Sequence, residues 1–350
     1  MNTVLPQPAS RQALAVLRSP DQRSTWIVIL AASLEAPLPC IDARLRDVQA
    51  AVPLIAARLH DETWHAGPLP SATVMAGEPL ESEALLARFD LSTEAPLRVF
   101  VGAGGRRIVL AGHHAAFDGR ALAMLLGAIL GGDLPPPAPP LTAPSMPARA
   151  SGWRTARRLA SPASRVAPSS NRPARDVFVV RPVQFSGSGV TARIAAACAA
   201  AAGARNRALG HPWRRVAISL GIGGSGGVGN VATYRRVELP ATEPVAPAVD
   251  VALRSAPDPY ELVTPPRLGR ALSPLMGAFS DSFLVSNLGR VALPAVRSVE
   301  FYPVARGRSA VAVGAVGVSR GDASLSLRAR DLSPDDAAEL LDSVVRRLEA

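Results

Sequence analysis

Two of the chain's five histidines stand side by side, and the residues after them make the pair chemically informative. The run Ile108–Gly119 reads IVLAGHHAAFDG, so His113, His114, Asp118 and Gly119 give the spacing H-H-x-x-x-D-G. An imidazole titrates near neutrality and can act as a general base towards a hydroxyl or amine. The apolar residues before the histidines read as a strand, and Asp118-Gly119 reads as the opening of a helix. Alternation along the strand puts Ile108, Leu110, Gly112 and His114 on one face and His113 on the other. The two histidines therefore have different roles, and only one of them can face a given site.

Other chemistries have weaker support. Gly221, Gly223 and Gly226 match the letters of a dinucleotide fingerprint, but that motif needs a helix directly behind it. Here Val231, Thr233, Arg235, Val237 and Leu239 alternate instead, which predicts a strand after a glycine-rich loop. His60, Asp61, Glu62 and His65 cluster without metal-ligand spacing and read as a surface turn; no metal site is expected. Cys40 and Cys198 are too few for a disulfide framework and read as small buried hydrophobes.

The elements that must hold the motif divide into two groups. Before residue 134, Trp26–Leu34 predicts a strand, and Ile41–Leu59 a helix divided at Pro53. Leu97–Val101 and Arg107–His114 form a hairpin around Gly102–Gly105, and Arg120–Leu130 is a helix. Leu134–Pro147 carries seven prolines in fourteen residues and cannot continue a helix or a central strand. An arginine-rich stretch follows to Arg175. Beyond it come strands at Val177–Val180, Trp213–Leu220, Val231–Leu239, Phe283–Asn287, Val299–Val304, Ala310–Val318 and Ser324–Ala329. Helices are read at Thr191–Ala202, Ala248–Arg254 and after the N-cap Ser333. The expectation is an α/β chain with mixed sheets: an N-terminal lobe over 1–133, a Pro/Arg-rich crossover over 134–175 and a C-terminal lobe over 176–350.

Composition narrows the class. With 350 residues, 48% apolar and 19% charged, the chain can build a core, and disorder is not the default. The formal charge is +10, and all 38 basic residues are arginine, a bias that fits a GC-rich bacterial genome. The excess also suits an anionic ligand or partner. Nucleic acid is not expected, because aromatics are only 4% and no nucleic-acid motif occurs. No apolar run reaches the roughly 20 residues of a membrane span, and the N-terminus does not read as a secretory signal. A cytoplasmic monomer is expected.

The H-H-x-x-x-D-G segment resembles the signature of the CoA-dependent acyltransferase superfamily. That group includes chloramphenicol acetyltransferase, plant BAHD and wax ester synthase-type acyltransferases, and the condensation domains of nonribosomal peptide synthetases. Phe89-Asp90-Leu91 and Pro96-Leu97-Arg98-Val99 resemble the lead-in to that motif. Val285-Ser286-Asn287-Leu288-Gly289 is similar to a second-lobe strand segment, and Gly229-Asn230 and the terminal strand and helix also look similar. The likeness covers about 24–130 and 176–350. The D-F-G-W-G motif of the BAHD branch is absent.

The resemblance implies two chloramphenicol-acetyltransferase-like lobes with an active-site tunnel between them. It implies His114 as the general base, with His113, Asp118 and Gly119 in supporting roles. Ser286 and Asn287 become candidate site-lining residues, and Arg154, Arg157 and Arg158 candidate contacts to donor phosphates. No cofactor would be bound. The donor substrate would be an acyl-CoA or a phosphopantetheine thioester on an acyl carrier protein, and the acceptor a small molecule. Acyl transfer in bacterial secondary or lipid metabolism follows. A stand-alone condensation-like enzyme forming an amide or ring, and a non-catalytic carrier- or ligand-binding homologue, are the alternatives. In condensation domains an arginine pairs with the motif aspartate. Within Pro53–Leu59, Ala56 stands at that place and Arg58 at a second, variable one, so Asp118 is expected to need another partner.

Overall fold

Near-continuous apolar runs make Ile27–Leu34 and Arg107–His113 the centre of a sheet buried on both faces. The structure, a computed structural model, describes residues 5–19, 21, 24–134, 162–185, 187–223, 227–255, 280–293, 295–307, 310–318 and 322–350. The two strands belong to a five-stranded mixed sheet, ordered 296–302, 27–34, 107–113, 97–102 and 73–75. Helix Gly119–Ile129 packs on one face, where Leu122, Leu125, Leu126 and Ile129 join Leu30, Leu110 and Val99 in one core. The other face carries a smaller cluster with Ile29, Phe100, Val109 and Tyr302.

The second sheet has six strands in the order 233–240, 215–222, 283–291, 311–318, 323–329 and 177–183. Its central strand, Phe283–Val291, is parallel to both neighbours; the other pairings are antiparallel. Helices Val190–Ala208 and Pro334–Glu349 supply Ile194, Cys198, Leu341 and Val344 to the core on one face. Ser333 caps the last helix as expected, accepting from the Asp336 N–H at 3.2 Å.

The sheets are joined by one strand that changes sides. Val296–Tyr302 leaves the C-terminal half of the sequence and pairs antiparallel with Ile27–Leu34, with Glu300 opposite Ala31 and Phe301 opposite Leu30. Sheet membership therefore departs from the 176–350 division at this strand. The strand lies across Val311–Val318 and Ala323–Ala329, and the alternation Ser324-Leu325-Ser326-Leu327-Arg328 explains how. Leu325 and Leu327 enter the second core. Ser324 and Ser326 turn the other way and donate to the carbonyls of Val299 (2.5 Å) and Phe301. Arg328, fully buried, donates to the Ile27 carbonyl at 2.6 Å and to Asp176 at 2.7 Å. These contacts satisfy polar groups that would otherwise be costly to bury between two sheets.

Several local expectations are corrected. The helix from Ile41 ends at Ala51; Pro53–Ala56 is a short 3-10 turn, and Arg58–His60 is a strand. Pro53 lacks the N–H that a continuing helix would need. Helix Arg11–Leu17, capped by Ser10, and the short strands Thr63–His65 and Thr73–Met75 add to the N-terminal lobe. The end of the 134–175 crossover is packed on the C-terminal lobe: Val166 is buried, and Asn206 bonds to the Ala167 N–H at 2.9 Å and the Arg165 carbonyl at 2.8 Å. Cys198 is buried, but Cys40 is exposed, at the head of the 41–51 helix. No helix among the described residues is long and apolar enough to cross a membrane.

Candidate active site between the two sheets

The motif strand ends at His113, and the chain turns sharply before Asp118 opens the next helix. The turn is closed by the Ala116 and Phe117 N–H groups donating to the His113 carbonyl at 2.9 and 3.0 Å. It sends the two imidazoles in different directions. His113 lies edge-on to Phe89, and its Nδ1 accepts from the Ala115 N–H at 3.2 Å. Burial holds its pKa down to about 3, with His114 and Arg98 nearby adding to the effect.

His114 is only 3% exposed and faces the second sheet. Its Nδ1 lies 3.0 Å from the Phe117 carbonyl, which can only accept. The Nδ1 proton is thereby fixed, and in the neutral ring the lone pair sits on Nε2. Burial lowers its pKa to about 4; the Phe117 bond works against this and the Arg306 charge works with it. The ring is neutral at physiological pH. Nε2 meets the Tyr234 hydroxyl at 2.6 Å, so the hydroxyl donates. Tyr234 belongs to strand Thr233–Pro240 of the six-stranded sheet, and burial raises its phenol pKa.

Asp118 is 2% exposed and does two jobs. Oδ1 caps the helix by accepting from the Ala121 N–H at 2.9 Å. Oδ2 accepts from the Val231 N–H at 3.1 Å, across the lobe boundary. Burial raises its pKa, and these amide bonds pull in the opposite direction. Gly229 and Asn230 continue the same seam. The Asp118 N–H reaches the Gly229 carbonyl at 3.4 Å, and Asn230 Nδ2 donates to the His114 carbonyl at 2.5 Å. In place of the arginine that Ala56 does not supply, Asp118 has the Val231 amide of the other lobe, and the Arg120 charge also favours its carboxylate. Arg58 is occupied with the carbonyls of Thr93, Ala56, Ala57 and Pro68.

A cavity of about 30 Å³ opens between the sheets, lined by His114, Gly119 and Tyr234 and by the apolar side chains of Val28, Leu284, Leu288 and Phe301. Ser286 also lines it. Asn287 does not take that place: its Nδ2 donates to Thr191 Oγ1 at 3.1 Å and its Oδ1 accepts from the Gly289 N–H. Gly119 is in close contact with Phe301; a Cβ there would overlap the phenyl ring. Arg154, Arg157 and Arg158 lie outside the described residues, as does Gly226 of the glycine-rich loop. Strand Thr233–Pro240 follows that loop, so the dinucleotide motif lacks its helix.

The sequence reading missed Tyr234. It followed the Val231–Leu239 face of the strand, and the tyrosine stands on the opposite face. One signal was available: Tyr234 is one of only three tyrosines, and it sits four residues after the Gly229-Asn230 pair.

The architecture has relatives of known structure. Trichothecene 15-O-acetyltransferase from Fusarium sporotrichioides superposes with a TM-score of 0.66 at 13% identity, covering 97% of this chain and 93% of that one. The first condensation domain of the CDA synthetase gives 0.57 at 17% identity, covering 99% and 96%. This chain has the condensation-domain fold. Other condensation-fold neighbours are the starter condensation domain of rhizomide synthetase, at 0.60 and 12% identity over 98% and 92%, and the X-domain from teicoplanin biosynthesis, at 0.52 and 17% over 100% and 95%. No protein-family profile matches the chain. No curated protein matches it in sequence. At these identities the likeness establishes the two-lobed fold, and the chemistry rests on the residues.

Proposed function

We propose that the chain transfers an acyl group from a thioester, carried by CoA or by a carrier protein, to a hydroxyl or amine of a small molecule. The observation that carries this reading is the state of His114 at the cavity between the lobes: neutral, tied at Nδ1 to Phe117, with its Nε2 lone pair accepting from the Tyr234 hydroxyl of the cavity wall. Such a nitrogen can take the acceptor's proton while the acceptor attacks the thioester carbonyl. The new C–O or C–N bond forms, the C–S bond breaks, and the proton goes to the departing thiolate. No acyl-enzyme and no metal is required by this scheme. Gly119, beside His114 in the cavity wall, fits a role near the oxyanion. A structure of the rhizomide starter domain is a complex with C8-CoA and Leu-SNAC, which favours a thioester donor for this fold.

The setting that goes with this reading is a cytoplasmic monomer in bacterial natural-product or lipid metabolism. The positive charge suits phosphates of CoA or an acidic carrier. If Arg154, Arg157 and Arg158 contact the donor, replacing all three by alanine raises the donor KM and flattens its salt dependence.

The test is thiol release and product mass against a panel of acyl-CoAs, acyl carriers and small hydroxyl and amine acceptors. Product mass separates an ester from an amide or ring. His114→Ala should lower turnover by about 10²–10⁴-fold. Its melting temperature is read alongside, because the substitution leaves the Phe117 carbonyl without its imidazole partner, at about 1–3 kcal/mol. Full turnover in folded His114→Ala would refute the assignment.

A second reading has its own observation. A cavity of about 30 Å³ has room for about one or two waters, not for a donor and an acceptor together. Of the non-catalytic alternatives, this favours a homologue that docks a carrier protein over one that encloses a ligand. Binding of a carrier without thiol release from any donor would decide for it.

A further inference from the structure

We propose that Tyr234 is a catalytic residue of this site: the acceptor's proton reaches His114 through the Tyr234 hydroxyl and does not pass directly. The inference rests on the acyl-transfer reading above and deepens it.

Direct transfer to His114 requires Nε2 to be open to the acceptor. Nδ1 is taken by Phe117, so Nε2 is the only lone pair the neutral ring has, and Tyr234 already donates to it at 2.6 Å. The phenol is held in that position from several sides. Its strand is paired along its whole length, Thr233 to Pro240, with Arg215–Ile222. The ring meets His114 edge-on, with centroids 6.1 Å apart and an interplanar angle of 82°. The Arg306 guanidinium lies 4.4 Å from the ring centroid, and Arg306 is itself placed by Ser219 Oγ at 3.2 Å and Asp281 at 3.6 Å. Moving the tyrosine away would give up the hydrogen bond and the cation–π contact together.

A hydroxyl need not move, because it donates and accepts at once. While Tyr234 donates to Nε2, its oxygen keeps lone pairs, and the residue forms part of the cavity wall. An acceptor hydroxyl in the cavity can donate to that oxygen. As the acceptor oxygen bonds to the thioester carbonyl carbon, its proton passes to Tyr234 and the phenolic proton passes to His114 Nε2. When the C–S bond breaks, the same two transfers run backwards and the thiolate leaves as the thiol. Tyr234 and His114 end as they began. Burial keeps the phenol protonated at neutral pH, as a donor to Nε2 must be, and the Arg306 charge favours any negative charge passing through the ring oxygen.

The experiment compares the parent, Tyr234→Phe, His114→Ala and the double variant for thiol release, each with its melting temperature. Phenylalanine fills the same space, so Tyr234→Phe should melt close to the parent. Its turnover should fall by about 10²-fold or more, within the range for a lost proton-transfer group, and the double variant should be no slower than His114→Ala alone. Turnover in Tyr234→Phe at or above the parental rate would overturn the relay and make the tyrosine a plug over the base. Losses that multiply in the double variant would also overturn it, since the two residues would then act separately. If the parent releases no thiol from any donor, the acyl-transfer reading itself fails and takes the relay with it. An active parent with an active Tyr234→Phe removes the relay alone.

Discussion

Asp118 and Val231 come from different lobes, and the 3.1 Å bond between the Asp118 carboxylate and the Val231 amide joins them at the motif. The aspartate is therefore both a helix cap and a clasp. Asp118→Asn keeps an oxygen for the Ala121 N–H, but then offers an NH₂ to the Val231 N–H, donor against donor. Asp118→Ala loses the cap, at about 1 kcal/mol, and leaves the Val231 amide unpaired, at about 1–3 kcal/mol. Denaturant titration should find both variants destabilised, with alanine the worse. A stability equal to the parent in both would mean that the clasp contributes nothing.

Gly119 faces Phe301 so closely that the two positions constrain each other. Gly119→Ala should destabilise by about 1–3 kcal/mol, the usual range for overpacking. Adding Phe301→Leu should recover part of the loss, because the smaller side chain makes room. A thermal-melt cycle over the two singles and the double reads the coupling directly. Independent, additive effects would contradict the contact.

Gly314 is constrained more severely. A Cβ on it would run into the backbone carbonyl of Phe301, and no side-chain rotation can relieve that overlap. It lies where the crossing strand rests on the six-stranded sheet, beside the Ser326 bonds to the same two residues. Gly314→Ala should therefore separate the strand from the sheet and leave little soluble, folded protein. Limited proteolysis and yield measure this. An alanine variant that melts with the parent would show that the sheets are less tightly joined there.

The two buried histidines make a pH prediction. Their folded-state pKa values, about 3 for His113 and about 4 for His114, lie below the ordinary value of 6.5. Above pH 6.5 both are neutral whether the chain is folded or unfolded, and their contribution is fully present. As pH falls from 6.5 towards 4 the unfolded chain takes up protons that the folded chain refuses. Each histidine then removes up to about 1.4 kcal/mol per pH unit. Unfolding free energies measured at pH 7, 6 and 5 should decline, and His113→Gln should decline less steeply. Equal slopes in parent and variant would place protonation of His113 outside this window.

Much of the site was legible because its signals are local. Alternation through Ile108–His114 separates the two histidines, and Asp118 before Gly119 marks a helix start; neither needs knowledge of distant residues. The six strands of the C-terminal sheet were likewise visible from their own apolar patterns. What could not be read were pairings between distant segments. Nothing within Val296–Tyr302 says that its partner is Ile27–Leu34, since a strand's pattern fixes which face is buried and not which neighbour it has. The same limit hid Tyr234, whose significance arises only when two lobes bring it to His114. Asn287, next to a true cavity residue in Ser286, shows the converse: alternation turned it to Thr191.

The crossing strand also sets an order on biosynthesis. Strand Ile27–Leu34 leaves the ribosome about 260 residues ahead of Val296–Tyr302, and its outer edge waits for that partner. At roughly 5–20 residues per second that wait lasts on the order of ten seconds or more. Throughout it, an apolar strand offers unpaired N–H and C=O groups to any other chain, which is the geometry of edge-to-edge aggregation. Truncations ending before residue 296 leave this edge open and also lose strands 311–318 and 323–329; they should be insoluble, and a separate peptide of residues 296–350 supplied during refolding should rescue them.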